Sequence, residues 1–142
     1  MTEALPPAPD LKLSPAVRAF LEEPRFAVVA SIGPDGMPHQ TVMWYRLDGD
    51  QILLNQGRKR TRARHLRHDP RLSFCVEDGA RYVTITGRTE LRTDQEQAVN
   101  DIVSLAIRYE GEEDGKATRA FFEKEKRETI ILRIEAVDAR GF

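Results

Sequence analysis

Phe26-Ala27-Val28-Val29-Ala30-Ser31-Ile32, Gly33-Pro34-Asp35-Gly36, His39-Gln40-Thr41-Val42-Met43-Trp44-Tyr45-Arg46, Asp48-Gly49 and Gln51-Ile52-Leu53-Leu54-Asn55-Gln56 together decide the fold. Three runs rich in β-branched and aromatic residues are joined by links long enough only for turns. Gly-Pro-Asp-Gly has turn chemistry at each position, and Asp-Gly is a hairpin signal. The reading is an antiparallel meander with strands over 26–32, 39–46 and 51–56.

Before the meander, Ser14-Pro15 is a helix cap followed by proline at the first helical position, with Val17, Phe20 and Leu21 on one apolar face. Residues 1–13, with Pro6, Pro7 and Pro9, read as a loose arm, and 14–142 as a single domain. After the meander, Arg71–Glu77 and Arg81–Arg92 read as strands, with a bend or bulge at Gly87. Thr93 with Glu96 has the capping-box pattern, opening a helix that runs to about Tyr109. An acidic loop over Gly111–Gly115, a helix over 117–126 and a last strand over 129–137 complete the chain. Six strands with peripheral helices predict a mainly β, α+β fold: a six-stranded, mostly antiparallel small barrel.

Charge is unevenly placed. Residues 57–71 hold seven of the 22 Lys and Arg against one acid, leaving 15 basic and 22 acidic residues elsewhere. Such a cluster in a chain of net charge −1 suits a polyanion. It follows a strand and opens a short helix, a junction where free amides and arginine forks hold phosphate. Thr61 is expected to cap that helix, and Arg60, Arg64 and Arg67 fall close to one face. The competing reading is a solvated face whose arginines balance acids elsewhere.

Other classes have weaker signals. Trp44, Tyr45 and Tyr82 are stacking candidates for single-stranded nucleic acid, but a sequence pI near 6.3 is low for such a module. His39, His65 and His68 have no second cysteine or zincin spacing to support a metal site. Hydrolase-elbow, P-loop and Rossmann motifs are missing, so no catalytic residue is assigned, and if the protein is an enzyme its chemistry is expected to reside in a bound cofactor. No apolar run approaches a membrane span, and the N-terminus lacks signal-peptide order. Cys75, the single cysteine, is expected as a packed core thiol, and the expected location is cytoplasmic.

Four ordered segments carry a resemblance: residues 20–30, Pro34-Asp35-Gly36-Met37-Pro38-His39-Gln40, Trp44-Tyr45 with Asp48-Gly49, and Thr61 through Arg71, continued by Tyr82-Val83 and Gly87-Arg88-Thr89-Glu90-Leu91. Over residues 16–110 the chain resembles the flavin/deazaflavin-dependent oxidoreductases with the FMN-binding split β-barrel of the pyridoxamine-phosphate-oxidase-like superfamily. It looks most like the small coenzyme F420-dependent enzymes. The resemblance implies a homodimer with a cofactor groove between two barrels, and no nucleic-acid or membrane partner. Coenzyme F420, with FMN as the alternative, would transfer hydride to or from a small conjugated substrate. A carrier of cofactor, haem or lipid without turnover is the non-enzymatic alternative. By the same resemblance, the strand from Gln40 through Val42 and Met43 to Trp44, with Asn55, Gln56 and Gly57, would line the ring. Arg60, Thr61, Arg62 and Arg64 would hold the phosphate and acidic tail, and Tyr82 and Tyr109 would reach in from the partner. The family's usual Asn before the helix Leu is His65 here, so that position is left out of the site.

Overall fold

Ser14 Oγ accepts from the Val17 amide at 3.2 Å and opens α1 (Pro15–Glu22), whose Val17, Phe20 and Leu21 are buried as expected. The computed structural model describes residues 13–142. The expected arm therefore falls almost wholly outside the described residues; its last member, Leu13, is buried in the main core.

Among the described residues, seven strands form one antiparallel sheet, where six were expected: β1 (Ala27–Ile32), β2 (Pro38–Met43), β3 (Arg46–Asp48), β4 (Gln51–Gly57), β5 (Arg71–Glu77), β6 (Tyr82–Arg92) and β7 (Arg127–Arg140). Their order is β2-β1-β5-β6-β7-β4-β3, so β2 and β3 are the two ends, and among the described residues no pairing closes the sheet into a barrel. The extra strand arises because 39–46 is not one strand. β2 pairs with β1, Val28 opposite Val42, whereas β3 pairs with β4, Arg46 opposite Leu53.

The break falls at Trp44-Tyr45 for an identifiable reason. The Tyr45 backbone groups are taken by side chains of helix α3 (Gln95–Glu110), not by a neighbouring strand. Arg108 Nε donates to Tyr45 O at 2.9 Å, and the Tyr109 hydroxyl accepts from Tyr45 N at 3.2 Å. The Tyr45 ring is fully buried, and its hydroxyl donates to Leu21 O at 2.9 Å. Arg108 also reaches the carbonyls of Leu21, Glu22 and Glu23 at the end of α1, where a cation complements the helix dipole. The meander expectation is thus corrected: β2 and β4 part, and the gap between them becomes a groove.

The main core lies inside the curved sheet and includes Phe20, Phe74, Ile85, Ile130 and Leu132. β4 and the first half of β7 are buried on both faces, because α3 covers their outer side through Ile102, Leu105, Leu53 and Ile131. Gly87 does mark a bulge: the β6–β7 register shifts between Thr86 and Gly87, and a Cβ there would lie 1.7 Å from Arg133 O. Cys75 is half-buried between the inward Phe74 and Val76, hence on the outer face and not in the core.

Local helix signals were shifted. Asp94, not Thr93, caps α3 by accepting from Gln97 N at 3.1 Å. The expected acidic loop is α4 (Glu112–Ala117), with three acids in the first turn, where free amides favour them. The helix expected over 117–126 shortens to α5 (Arg119–Phe122). Among the described residues, no helix is long and apolar enough to cross a membrane.

Candidate functional site

Where β2 parts from β4, helix α2 (Thr61–His68) begins beside the opening. The groove, about 340 Å³, is walled by His39, Thr41 and Val42 of β2 and by Asn55, Gln56 and Gly57 of β4. Arg60, Thr61 and Arg62 at the start of α2 and Arg127 at the start of β7 complete the walls. Among the described residues, three guanidinium groups and no carboxylate line it.

Arg62 is 8% exposed. Its Nε donates to Gln56 Oε1 at 2.8 Å and its Nη1 to Thr41 Oγ1 at 2.6 Å, both neutral partners. Gln56 Nε2 in turn donates to Glu128 Oε2 at 2.8 Å, so an amide separates Arg62 from that acid. Arg62 Nη2 has no acceptor among the described residues. No fully buried polar side-chain atom among them lacks a partner, so Nη2 keeps some exposure beside the cavities that Arg62 lines. Burial first, then the charges of Arg60 and Arg127, lower the Arg62 pKa from the usual guanidinium range to about 10. It remains a cation at neutral pH, in an environment short of negative charge.

Thr61 is not the cap. Arg60 holds that position with φ −65° and ψ 150°, without a side-chain capping bond. Its carbonyl accepts from the Ala63 and Arg64 amides at 3.0 and 3.4 Å. The amides of Thr61 and Arg62 have no acceptor among the described residues, leaving two donors beside the arginines. The Arg60 side chain is exposed and makes no hydrogen bond or ion pair among the described residues.

The expected convergence of Arg60, Arg64 and Arg67 does not occur. Arg64 is exposed outside the groove, bonding Lys59 O and Thr61 Oγ1 at 3.4 Å each. Arg67 pairs with the buried Glu128, and Arg71 with Asp69 at 2.7 Å, as the charge-balancing reading requires for those two. Gln40 is exposed on β2 and does not line the groove. Tyr82 sits at the opposite end of β6 from Arg92, the residue that pairs with Thr129 beside Asn55, and is likewise outside. Tyr109 lies between Phe26 and Trp44, stacked at 5.7 and 5.3 Å, with its hydroxyl on Arg25 O.

A second recess of about 230 Å³ shares Val42, Asn55 and Arg62 with the first. Met43, Trp44, Ile102, Leu105 and Phe122 make its remaining walls apolar. The site is therefore bipartite, cationic at one end and apolar at the other, with Arg62 at the junction. Arg127, Phe122 and the α3 residues were missed because they lie far away in sequence. One signal was available: Arg127 shares strand parity with Thr129 and Ile131, in a strand too apolar for either face to be exposed. Near the groove, His65 Nδ1 lies 3.0 Å from Ser31 Oγ and its ring meets His39 edge-on. Among the described residues, no three His, Cys, Asp or Glu are arranged to hold a metal ion.

Comparison with known proteins bears on the fold and the family. A conserved hypothetical protein from Mycobacterium tuberculosis superposes with TM-score 0.77 at 31% identity, over 95% of this chain and 89% of that one. An F420 reductase superposes with TM-score 0.71 at 27% identity, covering 85% of this chain and 94% of its own. A haem-binding protein from Mycobacterium smegmatis, at 20% identity and TM-score 0.65 over 92% of this chain and 55% of that one, shares the fold. No curated protein sequence matches. The family model for pyridoxamine 5'-phosphate oxidase matches residues 13–140, and with that span the chain belongs to the pyridoxamine 5'-phosphate oxidase family.

Proposed function

We propose that this protein is a deazaflavin-dependent oxidoreductase, binding coenzyme F420 and transferring hydride between it and a small conjugated organic substrate. The observation that carries this reading is Arg62: a buried cation without a carboxylate partner, at the junction of a cationic groove and an apolar recess. Such a site suits a ligand with an anionic handle and a flat apolar body. Arg60, Arg62 and the free amides of Thr61 and Arg62 would hold a phosphate. Val42, Met43 and Trp44 would form the wall for a ring. Bound deazaflavin supplies the hydride chemistry; the protein contributes position, orientation and exclusion of water.

FMN competes for the same groove with a single phosphate. Arg127 lines the same groove as Arg60 and Arg62, and the additional cation favours the longer acidic tail of the deazaflavin. Titration of the purified protein with each cofactor separates the readings. Tighter binding of coenzyme F420 is expected; micromolar binding of FMN with none of F420 overturns the proposal.

A homodimer is part of the same proposal. The outer face of β1 and β2 exposes Val28 (41%) and Val42 (66%), opposite one another across the pair. A flanking recess of about 340 Å³ is lined by Ala30, Ile32, Pro38 and Leu72 among others. An apolar sheet face beside an edge strand is usually covered. A second copy laid there would complete the open groove, with Tyr82 as a candidate contribution from the partner.

A further inference from the structure

The third arginine of the groove is not free. β4 ends at Gly57 directly opposite Arg127, where β7 begins. Two residues earlier, Glu125 places its carboxylate on Arg127 Nη1. The same carboxylate lies along Gly57, since a Cβ built there would stand 3.0 Å from Glu125 Oε2 and 3.2 Å from Oε1. Gly57 and Arg127 both line the groove. A protein carboxylate therefore sits at its rim, on one of its three cations.

The two partners differ in freedom. Arg127 has a side chain only 8% exposed, with Nε on Asn55 Oδ1 at 2.8 Å and its guanidinium 4.7 Å from the Phe122 ring centre. Glu125 is 49% exposed and makes its one ion pair to Arg127. The cation is fixed and the anion can swing into water. Burial lowers the Arg127 pKa and Glu125 raises it again, in keeping with a desolvated cation supplied with one counter-charge. Among the described residues, Arg60 and Arg62 have no such partner.

Resting on the groove as an anion site, we infer that Glu125 is a displaceable counter-anion and sets which anionic tails the groove accepts. A ligand with one phosphate is held at Arg60 and Arg62 and leaves Glu125 in place. A longer polyanion, a pyrophosphate or a chain of carboxylates, reaches Arg127 and displaces Glu125. Trading a half-exposed ion pair for contact with a multiply charged tail costs little, because such pairs are weak in water. A neutral or singly charged tail has nothing to offer in the exchange.

Calorimetric titration of the intact protein with inorganic phosphate and with tripolyphosphate, at low salt, tests this. Glu125→Gln is expected to bind tripolyphosphate about two- to fivefold tighter, the upper part of the range one such charge contact supplies. Inorganic phosphate should change less than twofold. Glu125→Asp, which keeps the charge but shortens the reach, should fall between the two and guards against a folding defect in the first variant. Equal tripolyphosphate affinity in all three proteins overturns the role of Glu125. Arg62→Ala in the otherwise native protein separates the two claims. If it leaves binding unchanged, the groove is not the anion site and the functional reading falls; if it weakens binding while Glu125→Gln has no effect, only this inference falls.

Discussion

Arg62 Nη1 donates to Thr41 Oγ1 at 2.6 Å, tying the first turn of α2 to the edge strand β2 across the groove. Thr41 is the one β2 side chain that bonds this guanidinium, and Gln56 holds it from β4. Thr41→Val keeps the β-branched shape but removes the acceptor, leaving a charged donor short of a partner. A loss of about 1 kcal/mol in stability is expected, at the low end for an unsatisfied donor because water reaches the groove. Urea denaturation measures it, and unchanged stability would show the bond to be energetically idle.

Arg60→Ala combined with Arg62→Ala removes the two groove cations that have no carboxylate partner among the described residues. Charge-assisted contacts to phosphate are worth about 1.5–3 kcal/mol each, so cofactor affinity should fall on the order of 100-fold or more. The slope of affinity against salt should flatten as well. Fluorescence titration at several ionic strengths reads both effects. An unaltered dissociation constant and slope would return this segment to a solvated helix face.

Gly87→Ala should be among the most damaging single substitutions. The added Cβ would meet Arg133 O at 1.7 Å, a backbone atom that cannot swing aside. Relieving the clash means separating β6 from β7, the longest ladder in the sheet. A loss of about 3 kcal/mol or more is expected. Thermal melting reads it, with Gln40→Ala on the exposed face of β2 as a control near wild type.

Asp69 gives a pH signature. Hydrogen bonds and charge from Arg71 lower its pKa from 3.8 to about 2. A depressed acid pKa in the folded state contributes stability above the unfolded value, and that contribution is lost as pH falls from about 4 through 2. Asp69→Asn should therefore be less stable than wild type at pH 7, with the gap closing across that window. Denaturation at stepped pH measures it; a gap independent of pH would assign the effect to something other than this carboxylate.

Val28→Glu tests the dimer. Val28 lies on β1 between Val42 of the edge strand and Cys75 of β5, on the outer face. A buried, unpaired carboxylate at a subunit interface is costly, so a dimeric wild type should become a monomeric variant with little change in the folded monomer. Sedimentation or light scattering decides, and identical masses would place the interface elsewhere.

Several parts of the fold were legible locally because their causes are local. Ser14 and Pro15 start α1 by capping chemistry, Gly33 through Gly36 form a turn, and Gly87 marks a bulge because no side chain fits there. The division of residues 39–46 was not legible. It depends on Arg108 and Tyr109, more than sixty residues later, taking the Tyr45 backbone groups that a neighbouring strand would otherwise use.

The candidate site divides in the same way. The cluster of arginines at a strand–helix junction is a property of the chain alone. Which arginines face the groove was decided by packing. Arg67 lies against Glu128 from β7, Arg64 turns to solvent, and Arg127 enters from a strand seventy residues away. Local sequence specifies where charge is concentrated, because composition and capping act over a few residues. Only the tertiary fold specifies which of those charges lack a partner, because their counter-charges come from elements distant in sequence.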